Sequence, residues 1–276
     1  MNPHHPHPSD PSEMLHSFWK NRRLIWTLAK REVIGRYRGS VMGIAWSFFN
    51  PVFMLIVYTF VFSVVFKARW GVETDGGQAS FAVILFAGMI VHGVFAECVN
   101  RAPTLVLANA NYVKKVVFPL EILPWVGVIA ALFHAAISVL VLLAAELMLM
   151  HYIPWTIVFL PVVLFPFIIA VMGISWFLAS TGVFLRDVSQ LTGLVTTVLL
   201  FMSPVFYPLS ALPEKYQAIL LLNPLTFIIE QVRQVVVWGH MPAWGGLFVY
   251  TVIACFVAWL GFSWFQKTRK GFADVI

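Results

Sequence analysis

Six stretches of this sequence are apolar for about twenty residues or more, and that length constrains the chain more than any other feature. Crossing the ~30 Å hydrocarbon core of a bilayer takes roughly 20 mainly apolar residues in a helix. The runs are 41–66, 80–100, 121–150, 155–182, 189–207 and 244–265. In "LPWVGVIAALFHAAISVLVLLAAELMLM", residues 123–150, Glu146 is the only charged residue. Backbone groups in hydrocarbon must find partners within their own segment, so spans of this length are helices. The expected fold is an all-α integral membrane protein with six transmembrane helices. Composition agrees, at 60% hydrophobic and 11% charged residues, against about a quarter charged in soluble domains. In such a chain a net charge of +6 reports topology and anionic lipid, not nucleic-acid binding.

Six spans place both termini on one side. If that side is the cytoplasm, fourteen of the 18 Lys and Arg are inside, and only Lys67, Arg69, Lys215 and Arg233 are outside. The retained side of short loops carries the Lys/Arg excess, so the expected orientation has N and C termini in the cytoplasm. One segment tests the count: "YQAILLLNPLTFIIEQVRQVVV", residues 216–237, is long enough to span, but Pro224 breaks it and it carries Glu230 and Arg233. A span there would also move "QKTRKGF" outside. Two short helices, near 212–222 and 225–238, are expected instead, either dipping into the outer face as a re-entrant pair or lying on it.

The start, "MNPHHPHPSDPSEM", has no basic segment followed by an apolar one, so it reads as a disordered tail over 1–14 and not as a cleavable signal peptide. Metal capture by His4, His5 and His7 is the less favoured reading of that tail. Residues 15–276 are then expected to form a single transmembrane domain that begins with an interface helix, 15–38. On a helical wheel Leu15, Phe18, Trp19, Ile25, Trp26, Ala29, Val33 and Tyr37 fall within about 120°, while His16, Lys20, Arg23, Thr27, Lys30 and Arg31 lie opposite. Trp on one side and Lys/Arg on the other place such a helix along the membrane surface. Where it meets the first span, Arg36 and Arg38 either anchor it or hold an anionic headgroup or diphosphate through charge-assisted hydrogen bonds.

Within the first span Trp46, Phe49, Phe53 and Phe60 fall within about 60° of one another. The row either packs or faces lipid, or lines a path on which sugar rings stack. Asn50 and Pro51 are expected to bend this span. His92, Glu97, His134 and Glu146 are ionisable groups within spans, costly in lipid and compatible with a proton relay. Cys98 and Cys255 lie in apolar runs and build neither a disulfide framework nor a metal site. The chain has no phosphate-binding loop and no Gly-Lys dipeptide, so no bound nucleotide or other cofactor is expected in it. No catalytic set of side chains stands out either, so it is not expected to be an enzyme by itself.

From Arg31 to Phe66 the sequence reads "REVIGRYRGSVMGIAWSFFNPVFMLIVYTFVFSVVF". It strongly resembles the membrane subunit of bacterial ABC-type polysaccharide exporters, the group that moves O-antigen, capsule and teichoic-acid chains. The matching residues are Arg36, Tyr37, Arg38, Gly39, Ser40, Gly43, Trp46 and Pro51. The likeness continues in "VKKVVFPLEILP", in "FLRDVSQL" with Arg186 and Asp187, and in "SPVFYPLSALP" with Pro204, Tyr207 and Pro213.

The resemblance implies a homodimer of six-span subunits in the bacterial inner membrane, enclosing a channel and paired with two copies of a cytoplasmic ABC ATPase that binds ATP and Mg. It implies a short coupling helix near 103–116, with Asn111, Lys114 and Lys115 bearing on the ATPase. It makes Trp46, Phe49, Phe53, Phe60 and Tyr207 candidates for the substrate channel, with the outer helix pair at the channel exit. Its cargo would be a glycan on an undecaprenyl diphosphate carrier, whose diphosphate suits Arg36 and Arg38. A proton-coupled flippase, a membrane-bound glycan acyltransferase and an ABC exporter of a small lipid or drug are the alternatives.

Overall fold

A computed structural model describes residues 10–66, 77–115 and 118–276; His4, His5, His7, Lys67, Arg69 and the Lys115 side chain lie outside what it describes. Every regular element among the described residues is helical. The first, α1 (Pro11–Arg36), starts four residues earlier than the wheel suggested, with Pro11 at its first position, where a missing N–H costs nothing. It has three sides. Ser17, Ile25, Leu28, Ala29 and Val33 are buried, with Ile25 and Ala29 against Ile122 and Val126 and the Phe18 ring 4.4 Å from that of Trp125. Leu15, Trp19 and Trp26 stay exposed on a second side, and Lys20, Lys30 and Arg31 on a third. The single apolar face of the wheel is thus divided between a side packed on protein and an exposed side.

The first span is α2 (Trp46–Tyr58), continued by a wider π-helical turn over Thr59–Val65. Only Ser47 in α2 is buried. By contrast α3 (Gly77–Arg101) is the central helix, largely enclosed by its neighbours. A short α4 (Ala110–Lys115) follows it, and then the long α5 (Leu123–Met150). The next span, α6 (Leu160–Phe184), makes the most extensive contact of the bundle with α10 (Trp244–Thr268). Gly173 and Gly261 permit that approach, because a Cβ on either would run into the backbone of the other helix. Small residues perform this role between membrane helices, where hydrophobic burial gives no advantage over lipid.

Five described segments are long and apolar enough to cross a membrane. The expected fifth crossing in chain order is a shorter helix, α7 (Val188–Phe201), of 14 residues, about 21 Å at 1.5 Å per residue. Helix stops at Phe201, short of the expected residue 207, because Ser203 precedes a proline and such a residue is driven out of the helical region. The outer pair is α8 (Glu214–Leu221) and α9 (Pro224–Val236), bent by 96° at their junction. Asn223 caps α9 by accepting from the Leu225 N–H, and Pro224 takes the first helical position. While α8 is mostly exposed, α9 buries nine residues, Leu225 to Val236, within the bundle. That burial in protein is what a re-entrant backbone requires.

The chain closes with α11 (Phe272–Val275), which packs near α4. Lys114 Nζ donates to the Ile276 carbonyl at 2.6 Å, so α4 and the last residues lie at the same end as α1. That end is hereafter the basal end, and the end holding α8 and α9 the distal end.

Candidate functional site

At the basal end the sequence "RYRGS" performs a turn. Tyr37 ends α1, and Gly39 (φ 85°) and Gly43 (φ 54°) both adopt the left-handed region on the way into α2. A Cβ at either would meet nothing within 4 Å, so the backbone angle, not space, demands glycine there. The turn brings the end of α1 beside α3 and α5. Arg36 Nη2 donates to Glu97 Oε1 at 2.5 Å, and Arg36 Nη1 lies 3.0 Å from His134 Nδ1. His134 Nδ1 is in turn 3.3 Å from the same Glu97 oxygen. Beside this triad is a cavity of about 300 Å³, with Asn50, Tyr58, Glu97, His134 and Ser138 among its lining. Two further contacts hold α1: Arg101 with Glu32 at 2.5 Å, and Arg31 with the Tyr112 hydroxyl at 3.0 Å.

The candidate residues fall into distinct settings. Arg36 is engaged by the triad, whereas Arg38 is exposed and has no ion-pair partner among the described residues. Asn111 and Lys114 are exposed at the basal end, with Lys114 bonded to the Ile276 carbonyl. Trp46, Phe49, Phe53 and Phe60 are all exposed, but so is Phe48 on another side of the same span. Tyr207 is half-buried and its hydroxyl donates to the Phe201 carbonyl at 2.8 Å, closing the end of α7.

Of the four ionisable span residues, only Glu97 and His134 meet. His92 is five positions from Glu97, about 140° around the helix, and is bonded to the Thr196 carbonyl of α7 at 3.0 Å. Glu146 is fully buried, and neither carboxyl oxygen has a hydrogen-bond partner among the described residues. It lies twelve positions along α5 from His134, about 18 Å away. No continuous relay joins the four.

Two charged residues have roles their sequence context concealed. Arg233, expected among the outer-loop charges, is instead fully buried. Its guanidinium donates to the carbonyls of Ile84 (3.1 Å), Pro204 (2.5 Å) and Val205 (3.0 Å) and to Glu230 Oε1 (3.0 Å). The broken end of α7 leaves carbonyls without helical partners, and a fork of five N–H donors satisfies them. Gly88 makes the room, since a Cβ there would come within 2.9 Å of Arg233 Nη2. At the basal end Glu121 is the counterpart: it accepts from Ser17 Oγ at 2.9 Å and pairs with Arg269 at 2.6 Å, while its carbonyl accepts from Trp176 Nε1 at 2.9 Å. The one sequence signal for Glu121 was an acidic residue between two prolines on the basic side of the chain.

A helical membrane bundle with a surface helix locked to one end, a re-entrant pair at the other and no nucleotide loop has the form of the membrane subunit of a transporter. The family model of the ABC-2 type transporter matches residues 23–237, and the chain belongs to that family. It is similar to the O-antigen export system permease protein RfbA of Myxococcus xanthus, 25% identical over 95% of this chain and 99% of that protein. A Klebsiella pneumoniae protein of the same name is 24% identical over 92% of this chain and 95% of its own length. The polysialic acid transport protein KpsM of Escherichia coli is 24% identical over 82% of this chain and 87% of that protein.

Proposed function

We propose that this chain is the membrane-spanning subunit of an ATP-driven exporter that carries a lipid-linked polysaccharide, an undecaprenyl-diphosphate-linked O-antigen or similar glycan, across the bacterial inner membrane. Two copies enclose the channel, and two copies of a separate ABC ATPase bind at the basal end, which faces the cytoplasm with both termini. The ATPase supplies ATP and Mg chemistry; this chain supplies the path.

The observation that carries the reading is the first span. A span with one buried residue in α2, and with a row of four exposed aromatic side chains, suits a second copy and a sliding cargo better than a closed monomer. A long glycan must move without being trapped, so several weak stacking contacts serve better than one tight site, each contributing roughly 0.5–1.5 kcal/mol by analogy with aromatic pairs. The names of the relatives, O-antigen export and polysialic acid transport, support a polysaccharide cargo. Arg36 and Arg38 are the residues assigned to the carrier's diphosphate, and Asn111, Lys114 and Lys115 those assigned to the ATPase.

The test is export of surface glycan from cells at matched levels of the protein. Single alanine changes at Trp46, Phe49, Phe53 or Phe60 should slow export modestly, and the quadruple change severely, with dimer assembly intact. Normal export by the quadruple variant would remove the channel assignment. Export that collapses with a protonophore but survives an inactive ATPase would favour the flippase alternative.

A further inference from the structure

Arg36 is not a free cation waiting for a ligand, because Glu97 already occupies its guanidinium at 2.5 Å. Resting on the assignment of the diphosphate to Arg36 and Arg38, we infer that Glu97 is a specificity-determining residue of that site. It holds Arg36 until an anion carrying more charge than a carboxylate arrives, and so selects a lipid diphosphate over the phosphodiester of ordinary phospholipids.

The argument is one of exchange. A phosphodiester carries one negative charge, as the Glu97 carboxylate does. Replacing one by the other gives Arg36 no extra attraction and leaves a partly buried carboxylate, 23% exposed, without its cation. That is an unfavourable trade in a poorly solvated setting. A diphosphate brings more charge and more acceptor oxygens, and it can reach two guanidinium forks. Arg38, exposed and two residues along the turn, makes the first contact; Arg36 follows. Specificity of this kind comes from a competing interaction that the wrong ligand cannot displace.

His134 lessens the cost of displacement equally for either ligand, so the charge that the incoming anion brings decides the exchange. With Arg36 donating to Nδ1, the ring proton sits on Nε2, a buried nitrogen with no partner among the described residues. Once Arg36 leaves, the ring can carry its proton on Nδ1 and donate to Glu97, which is already 3.3 Å away. The neighbouring cavity offers the freed carboxylate only Asn50 and Ser138 as further polar side chains in a mostly apolar lining.

The experiment uses this chain co-purified with its ATPase partner in lipid nanodiscs, titrated with a polyprenyl diphosphate and, separately, with phosphatidylglycerol. The wild-type complex should prefer the diphosphate. Glu97→Gln should tighten both, phosphatidylglycerol more, so that the preference narrows by at least about tenfold, whereas Glu97→Asp should keep it. An unchanged preference in Glu97→Gln overturns the inference. If Arg36→Ala with Arg38→Ala leaves diphosphate binding intact, the assignment of the site itself fails. A second measurement keeps all native charges: spin labels at Ile34 and Phe133, which line one groove between α1 and α5, should move apart on adding the diphosphate and not on adding phosphatidylglycerol. An unchanged distance, or the same change with both lipids, also overturns it.

Discussion

Arg233 Nη1 donates to the carbonyl of Pro204 at 2.5 Å, joining the re-entrant helix to the point where the preceding helix breaks. The same guanidinium reaches Ile84 at the start of α3. One fully buried side chain therefore fixes three elements at the distal end, where α9 is also tied by Thr156 Oγ1 to the Val235 carbonyl and by Gln231 to the Ala243 N–H.

Arg233→Ala should leave several carbonyls and Glu230 unpaired and lower stability by more than about 3 kcal/mol. Arg233→Lys should rescue little, because an ammonium is a point donor and cannot fork across separated carbonyls. Thermal unfolding of the detergent-solubilised protein, followed by size-exclusion chromatography, measures both. Wild-type stability in the lysine variant would show that charge alone suffices.

Glu121 and Arg269 should couple. In a double-mutant cycle with Glu121→Gln and Arg269→Gln, the interaction should amount to about 1–3 kcal/mol, since the pair is largely shielded and hydrogen-bonded at 2.6 Å. Each single variant should also loosen the basal end and lower transport-coupled ATP hydrolysis in the complex. Additive effects would mean that the two residues act separately.

Two glycines four positions apart should respond in opposite directions. Gly39→Ala forces a Cβ into a left-handed backbone (φ 85°) and should cost about 1–2 kcal/mol. Gly35→Ala lies inside α1 with nothing within 4 Å of the added Cβ, and should stabilise by about 0.5–1 kcal/mol. Melting temperatures of the two variants decide the matter, and equal losses would remove the backbone argument.

Orientation is open to direct chemical labelling. In a background with Cys98 and Cys255 replaced, a cysteine at exposed Glu214 should react with a membrane-impermeant maleimide in intact spheroplasts. One at exposed Lys114 or Lys270 should react only after permeabilisation. External reaction at Lys270 would reverse the assignment of the basal end to the cytoplasm.

The six apolar runs, the break at Pro224 and the surface helix were legible in the sequence because each depends on local composition judged against one solvent, the bilayer. Length sets whether a segment spans, proline sets where a helix stops, and a positive φ sets where glycine stands. The "RYRGS" turn belongs to this class: its resemblance to a family motif and its backbone requirement point to the same residues. The aromatic row was equally visible, as a side of one helix.

What those side chains meet was not visible. Arg36 finds Glu97 at a separation of 61 positions and His134 at 98, and Arg269 finds Glu121 at 148. Such pairs arise when separate helices bring their ends together, and no periodicity within one segment encodes them. Arg233 is the sharpest case. Read along the chain it was an outer-loop charge, yet in the fold it is buried because the interrupted end of α7 leaves carbonyls that need donors. Local composition dictates which segments become helices, whereas the packing of distant segments dictates which charges pair, since burying a charge is tolerable only where another part of the chain supplies its partners.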